Sequence, residues 1–201
     1  MKLHFPTDRI TYDLPDATIS YYPSFFTNEE ANSIYKELME KTEWQQDKIT
    51  LFGKTHLQPR LTALYANNCK PYSYSNITMR PHGFTLLLEK IKAKIETVCE
   101  EDFTTVLLNL YRNGKDSNGW HADNEKELGN NPTIASVSFG AERSFHLKHN
   151  TIKEARLKLV LEHGSLLIME GKTQHFWKHQ IPKTAKPINP RINLTFRKIE
   201  L

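Results

Sequence analysis

Seven short segments with strand character follow one another in the second half of the chain, and they limit the possible folds more than any other feature. Glycine, proline and asparagine, which end strands and form turns, separate them. The segments are 104–111, 133–139, 143–148, 156–162, 164–169, 175–180 and 191–198. Because helical segments do not alternate with these strands, the pattern argues against a βαβ fold with a parallel sheet.

Two amphipathic helices are predicted before these strands. The first begins at Thr27–Glu30, which has the form of a capping box, and its apolar residues then recur at spacings of three and four as far as Met39. A second apolar stripe runs from Phe84 to Val98. Both stripes are interpreted as core packing. The fold class is therefore α+β, with helices packed on one sheet of an antiparallel sandwich or jelly roll.

Size and composition favour one globular domain over residues 1–201. The net charge of +4 is compatible with a polyanionic partner, although an ordinary solvated surface explains it as well. Two cysteines outside any CxxC motif argue against a disulfide framework or a thiolate zinc site. Neither a secretory h-region nor an apolar run of ~18 residues is visible. We expect an intracellular, soluble monomer that does not bind membranes.

Candidate metal ligands come from two places. His121 and Asp123 are two residues apart, so on an extended segment both side chains point to one side. His175 and His179 share one face of a predicted strand with Trp177 and compete for a third ligand position. Two histidines and one carboxylate are typical of non-haem Fe(II) oxygenases, whereas zinc remains chemically possible with the same ligands.

The segment 191–197 alternates between polar and apolar residues. A polar strand face is ordinarily exposed to solvent. However, Arg191 and Arg197 lie ~20 Å apart along the strand and could bind the two ends of a short dicarboxylate. Asn109 and Tyr111 share a face of an earlier strand and could complete this site. Iron together with a dicarboxylate points to 2-oxoglutarate.

These motifs together resemble the AlkB family of Fe(II)/2-oxoglutarate nucleic-acid dealkylases. The resemblance spans roughly Ile49 to Ile199, and it is strongest to the paralogue that repairs alkylated bases in duplex DNA. The residues that carry it are Asn109-x-Tyr111, His121-x-Asp123, His179, the arginine pair within RINLTFRK, and the runs PTIASVSFGAERSF (132–145) and HGSLLIM (163–169).

The resemblance implies a double-stranded β-helix, with helices and a nucleotide-recognition hairpin lid in about 1–103 and a jelly-roll catalytic core in about 104–201. It implies Fe(II) bound by His121, Asp123 and His179, which leaves His175 as a core or supporting residue. Around 2-oxoglutarate, it implies that Arg197 and Asn109 hold the keto-acid end and that Arg191 and Tyr111 hold the far carboxylate, with Asn193 or Thr195 assisting.

The implied activity is oxidative DNA repair. The enzyme would hydroxylate N-methyl groups of 1-methyladenine and 3-methylcytosine with Fe(II), O2 and 2-oxoglutarate, and release formaldehyde, succinate and CO2. Its partner would be duplex DNA carrying alkylated bases, in the nucleoid of a bacterium or the nucleus of a eukaryote. Two alternatives stay open: the same oxygenase chemistry on RNA, protein or a small molecule, and a non-catalytic nucleic-acid binding module.

Several residues resemble the family's substrate contacts. Phe52 and Gly53 would form an intercalating finger, since apolar wedges fill gaps in a base stack, although Phe52 could instead pack in the core. Tyr72 and Tyr74 would stack on a flipped base. Glu125 would meet the polar edge of the base, and Asn124 stands where the paralogue commonly has an acidic residue. Lys54 and Arg60 are candidate phosphate contacts.

Overall fold

The computed structural model describes residues 8–51, 54–67, 72–74 and 77–199, and only the backbone of residues 50, 51, 54, 72–74 and 77–79. Within these ranges, two β-sheets pack face to face and two helices cover the outer side of the larger sheet. This is the α+β arrangement predicted from the sequence, with the sheets of a jelly roll and the helices on one of them.

The larger sheet has eight strands among the described residues. All neighbours are antiparallel except the last pair, which is parallel. In spatial order the strands are β1 (Ile10–Tyr12), β2 (Thr18–Tyr22), β14 (Ser165–Glu170), β11 (Ile134–Gly140), β16 (Arg191–Arg197), β9 (Thr105–Tyr111), β5 (Leu61–Ala66) and β8 (His82–Gly83). Strands from before and after residue 103 therefore join in one sheet.

In the described part of the chain, the smaller sheet has four antiparallel strands, and two separate hairpins lie outside both sheets. In spatial order the sheet consists of β10 (Asn118–His121), β15 (Trp177–Ile181), β12 (Arg143–His149) and β13 (Arg156–Leu161). The hairpins pair β3 (Lys48–Leu51) with β4 (Lys54–Leu57), and β6 (Tyr72–Tyr74) with β7 (Ile77–Met79). The first hairpin lies in the part of the chain where the resemblance implies a hairpin lid.

Both predicted helices are present. Helix α1 (Asn28–Lys41) begins with the expected capping box, in which the Thr27 hydroxyl accepts from the Glu30 N–H and the Glu30 carboxylate accepts from the Thr27 N–H. Helix α2 (Leu86–Ile95) is capped by Thr85. A four-residue helix α3 (Thr173–Phe176) and a 3-10 turn (Lys126–Leu128) are shorter. No helix in the described ranges has the length and apolar character of a membrane span.

Polar and apolar residues alternate along β16, so its two faces border two different parts of the protein interior. Its apolar residues Ile192, Leu194 and Phe196 pack in the core between the larger sheet and the helices. Its polar residues are also buried, on the opposite face toward the smaller sheet. The polar face of this strand is therefore the floor of an internal cavity and not a solvent-exposed surface.

The seven predicted strands are present with boundaries close to those expected, apart from the segment 175–180. That segment begins as α3, and the strand starts only at Trp177. The sequence did not predict β5 or β10 as strands, although β5 extends the larger sheet and β10 carries a metal ligand. Both lack a clear alternation of polar and apolar residues, which explains the omission.

Candidate metal and cosubstrate site

Three side chains converge between the two sheets. His121 ends β10 and faces His179 directly across the β10–β15 pair, and Asp123 follows just after the strand. The Nε2 atoms of both histidines lie 3.9 Å from the Asp123 carboxylate oxygens. The three potential ligand atoms lie within 4.8 Å of one another, so a single ion can contact all of them.

Neighbouring groups orient these ligands. Nδ1 of His121 lies 2.8 Å from the Gly119 carbonyl oxygen, which can only accept, so Nδ1 carries the proton and Nε2 keeps the lone pair that a metal ion requires. The backbone N–H of Asp123 donates to the Gln174 side chain at 2.9 Å. The Asp123 carboxylate accepts from Arg197 at 3.0 Å. These contacts hold the ligand side chains and the backbone at Asp123 in place.

Electrostatics favour the protonation states that bind metal. Burial lowers the pKa of His179 to about 3, and burial also lowers the pKa of His121. Burial alone would raise the pKa of Asp123, but Arg197 and the two imidazoles outweigh it and lower that pKa to about 2. At neutral pH the two imidazoles are thus neutral and the carboxylate is ionised, as a metal ligand set requires.

The histidine predicted as a competitor is not part of this site. His175 lies on α3 with an exposed side chain, so it shares no strand face with His179. The expectation of a core or supporting role for His175 is wrong, because the short helix turns it to solvent. Two imidazole nitrogens and one carboxylate, facing a cavity on their open side, form a ligand set that fits Fe(II).

A narrow cavity of about 30 Å³ lies beside the ligands, between the two sheets. Side chains of β9 and β16 form much of its wall, and facing residues of an antiparallel pair share one face of the sheet. Arg191 lies opposite Tyr111, and Asn193 lies opposite Asn109. All six predicted cosubstrate residues line it: Asn109, Tyr111, Arg191, Asn193, Thr195 and Arg197.

The far end of the cavity carries a positive charge. Arg191 is 1% exposed, donates to the Ser138 hydroxyl at 2.9 Å and lies 5.3 Å from the centre of the Tyr111 ring. Among the described residues, its Nε and one terminal nitrogen have no hydrogen-bond partner. Burial lowers the pKa of Arg191 to about 10, so it remains charged at neutral pH. A buried cation with unused donors is a binding point for an anion.

The polar side chains in the middle of β16 form hydrogen bonds to the neighbouring strand β11 and to each other. Asn193 donates to the Ser136 hydroxyl at 2.8 Å and to the Val137 carbonyl at 3.0 Å, and its own side-chain oxygen accepts from Thr195 at 3.1 Å. These contacts fix both side chains against the cavity wall.

The predicted phosphate contact Arg60 is wrong, because its side chain is inside the protein. It is 5% exposed, and its Nε donates to the Asn109 side-chain oxygen at 2.8 Å. One terminal nitrogen lies 3.2 Å from the Asn118 side-chain oxygen. Arg60 therefore belongs to the interior that supports the cavity and does not face a nucleic-acid backbone.

The predicted contacts to the base are only partly described. Glu125 is half-buried, and one of its carboxyl oxygens has no hydrogen-bond partner in the described part of the chain. Burial and the neighbouring Asp123 raise its pKa. Asn124 is exposed. Phe52 and Gly53 lie outside the described residues, and the side chains of Lys54, Tyr72 and Tyr74 are not described, so their roles stay predictions.

Sequence reasoning missed three supporting residues. Gln174 holds Asp123 from α3, Asn118 lies 3.2 Å from Nε2 of His121, and Ser138 holds Arg191. Gln174 is distant in sequence from Asp123, so no local signal indicated their contact. Asn118 lies three residues before His121 on β10, and Ser138 lies in the run 132–145, but the sequence did not show which side chains they contact.

Comparison with known proteins agrees with this geometry. A family model described as the 2OG-Fe(II) oxygenase superfamily matches residues 18–197. A solved structure described as "The structure of OsALKBH1" superimposes on this chain with a TM-score of 0.67 at 16% sequence identity. The match covers 95% of this chain and 100% of that one. At that identity, the likeness concerns the fold alone.

Two curated relatives define the family more closely. The bovine alpha-ketoglutarate-dependent dioxygenase alkB homolog 3 is 44% identical over 187 residues, which are 88% of this chain and 64% of that protein. The human DNA oxidative demethylase ALKBH2 is 38% identical over 190 residues, which are 90% of this chain and 73% of that protein. The chain thus spans just under two thirds of the length of the first relative.

The chain belongs to the 2OG-Fe(II) oxygenase superfamily and, within it, to the AlkB family. Fe(II), 2-oxoglutarate and O2 are the metal and cosubstrates of this family. The ligand set agrees with the predicted Fe(II), and the charged cavity agrees with the predicted 2-oxoglutarate.

Proposed function

We propose that this protein is an oxidative demethylase of alkylated nucleic-acid bases. The observation that carries the proposal is the His121–Asp123–His179 triad between the two sheets, which opens into a cavity lined by two arginines. When bound, iron and its cosubstrates supply the oxidation. The methyl group becomes a hydroxymethyl group, and its C–N bond then breaks to release formaldehyde and the repaired base; 2-oxoglutarate is converted to succinate and CO2.

The same cavity supports a binding mode for 2-oxoglutarate. In this proposal, Arg191 and Tyr111 hold the far carboxylate, because they lie opposite each other and Arg191 has unused donors. Arg197 holds the keto-acid end, since its guanidinium already contacts Asp123 beside the metal position. Asn109 donates from β9, and Asn193 and Thr195 form the wall between the two arginines.

A nucleic-acid substrate is supported by charge on the outer face of the smaller sheet. Lys178, Lys148 and Arg156 are directly paired neighbours on three adjacent strands. None of the ion pairs between described residues includes them. Directly opposed like charges destabilise a sheet, so their presence favours a polyanionic ligand. Trp120, next to the ligand His121, lies 4.3 Å from the Lys148 ammonium.

We further propose that the substrate is duplex DNA and that the part before about residue 103 supplies its lid. The β3–β4 hairpin would present Phe52 at its tip as the wedge that replaces a flipped base. Tyr72 and Tyr74 would stack on the base. Glu125, whose carboxyl group is half-buried next to Asp123, would face methylated bases, which are cationic.

The deciding experiment measures formaldehyde release from a panel of oligonucleotides that carry 1-methyladenine or 3-methylcytosine, single- and double-stranded, DNA and RNA. We expect release from both lesions, with duplex DNA the preferred substrate. Phe52→Ala should lower the rate on duplex DNA more than on single strands. Equal losses on both would refute the wedge, and release only from RNA would reassign the substrate.

A non-catalytic binding module is the remaining alternative. Anaerobic addition of Fe(II) and 2-oxoglutarate should produce the weak visible charge-transfer band of this class, and His179→Ala should abolish it. If the protein binds methylated DNA but gives neither the band nor formaldehyde, the module is the correct description.

A further inference from the structure

Arg60 is a buried cation that has no carboxylate partner among the described residues. It is 5% exposed, and no ion pair between described residues includes it. Burying a guanidinium in this way costs free energy unless its donors are satisfied. Arg60 lies one residue before β5, which pairs with β9, the strand that carries Asn109. Its charge is thus held beside the cosubstrate cavity.

The guanidinium donates to two side-chain amides. Its Nε lies 2.8 Å from the Asn109 oxygen, and a terminal nitrogen lies 3.2 Å from the Asn118 oxygen. Arginine has five donors and no acceptor, so each amide must turn its oxygen toward Arg60 and its NH2 group away. The NH2 group of Asn118 accordingly lies 3.2 Å from Nε2 of the ligand His121. Both asparagines line the cavity.

We propose that Arg60 is a positioning residue that fixes both amides with their NH2 groups toward the cavity, where they can donate to 2-oxoglutarate. The inference rests on the cosubstrate part of the proposed function and is independent of the nucleic-acid substrate. An asparagine amide has two orientations of similar shape, and the wrong one would place a carbonyl oxygen against a carboxylate. Arg60 excludes that orientation at both positions at once.

Two further properties make arginine suited to this role. Its planar fork reaches two acceptors in a fixed geometry, whereas a lysine ammonium is a point charge that cannot define both directions. A charged donor on the amide oxygen also polarises the amide and strengthens its N–H donors. The residue therefore orients the two donors and makes them stronger.

The test measures the dissociation constant of 2-oxoglutarate by calorimetry, with Mn²⁺ in place of iron and without nucleic acid. Arg60→Met should weaken binding at least ~10-fold, since it removes the control of hydrogen bonds to a charged ligand. Arg60→Lys, which keeps the charge, should weaken binding by a smaller factor. Ser20→Ala is the control, because it removes the acceptor of two hydrogen bonds from Arg9 at a buried position that does not line the cavity.

A double-mutant cycle separates positioning from a general loss of structure. If Arg60 acts through the amides, adding Arg60→Met to a variant in which Asn109 and Asn118 are already alanine should weaken 2-oxoglutarate binding by less than a further ~3-fold. The side-chain NH2 signals of both asparagines in an amide NMR spectrum should also shift in Arg60→Met and not in Ser20→Ala. Should Arg60→Met fail to fold, Arg60→Lys and its cycle provide the same comparison.

The outcomes distinguish this inference from the proposed function. If the unmodified protein does not bind 2-oxoglutarate, the proposed function itself fails. If it binds, but Arg60→Met binds equally well, or its loss persists in full without the two amides, then only the positioning role is overturned.

Discussion

Arg197 and Arg191 lie on the same face of β16, six residues apart, and both are almost fully buried. Arg197 contacts a carboxylate, since it donates to Asp123 at 3.0 Å. Arg191 has no carboxylate partner among the described residues, where it donates to the Ser138 hydroxyl and interacts with the Tyr111 side chain. One strand thus carries a compensated cation at the metal end of the cavity and an uncompensated cation at the far end.

This difference in charge balance indicates that the two ends of the cavity have different roles. At the metal end, the protein's own charges are balanced, because the Arg197 guanidinium donates to the Asp123 carboxylate. At the far end, the balance requires an anion from outside. A dicarboxylate that reaches from the metal to Arg191 would satisfy the second end without disturbing the first.

The largest effect expected from this comparison concerns stability without metal or cosubstrate. Arg197→Met should lower the free energy of unfolding by about 3–5 kcal/mol, because Asp123 would remain buried without its cation. Arg191→Met should leave it unchanged or raise it, because a buried charge without a carboxylate partner is replaced by an apolar chain. Urea unfolding of both variants would measure this, and a loss of equal size in both would remove the contrast.

The pH dependence of the free energy of unfolding, measured without metal, tests the burial of His179 at the metal end. The pKa of His179 in the folded state is about 3, below its ordinary value of 6.5, so the unfolded chain binds more protons between these values. The contribution of His179 to stability is therefore complete above pH ~6.5 and is lost as the pH falls toward 3. Between pH 7 and 4 the loss should be on the order of 3 kcal/mol.

Urea unfolding across this pH range, repeated with His179→Gln, provides the check. The variant should show a shallower decrease, because glutamine does not titrate. An identical pH profile in the two proteins would show that His179 is not the group responsible.

Removal of a metal ligand should have the next largest effect. His179→Ala should weaken Mn²⁺ or Fe(II) binding by more than ~100-fold, since even the loss of a group that only supports a metal ligand costs 10–100-fold. His175→Ala is the matched control, because that imidazole is exposed on α3. Metal titration of both variants would measure this difference in affinity. A comparable loss of metal affinity in His175→Ala would contradict the assignment of His179 as the third ligand.

The smallest predicted effect concerns the support of Arg191. Ser138→Ala removes one neutral partner of a guanidinium that the cosubstrate would also bind. Binding of 2-oxoglutarate should weaken by only a few-fold, since one hydrogen bond contributes about 0.5–1.5 kcal/mol. Arg191→Met should weaken it much more. Calorimetry on both variants would show whether the arginine or the serine is the principal contact.

Local chemistry in the sequence determined much of the fold. The capping box at Thr27 and Glu30 marked the start of α1, and alternation along 191–197 marked β16 with its two faces. Hydrophobic period and caps act between neighbours in the chain, so they can be recognised without a structure. The pairing of His121 with Asp123 was visible for the same reason, because an extended segment places both on one side.

Tertiary structure alone decided the questions that depend on residues far apart in sequence. The alternation of β16 could not show whether its polar face meets water or a second sheet, and the packing of the smaller sheet makes it a cavity wall. His175 and His179 were equivalent by spacing until α3 turned one outward. Arg60 resembled a surface contact until the pairing of β5 with β9 placed it against Asn109. Burial and long-range contact arise from packing, and no local pattern encodes them.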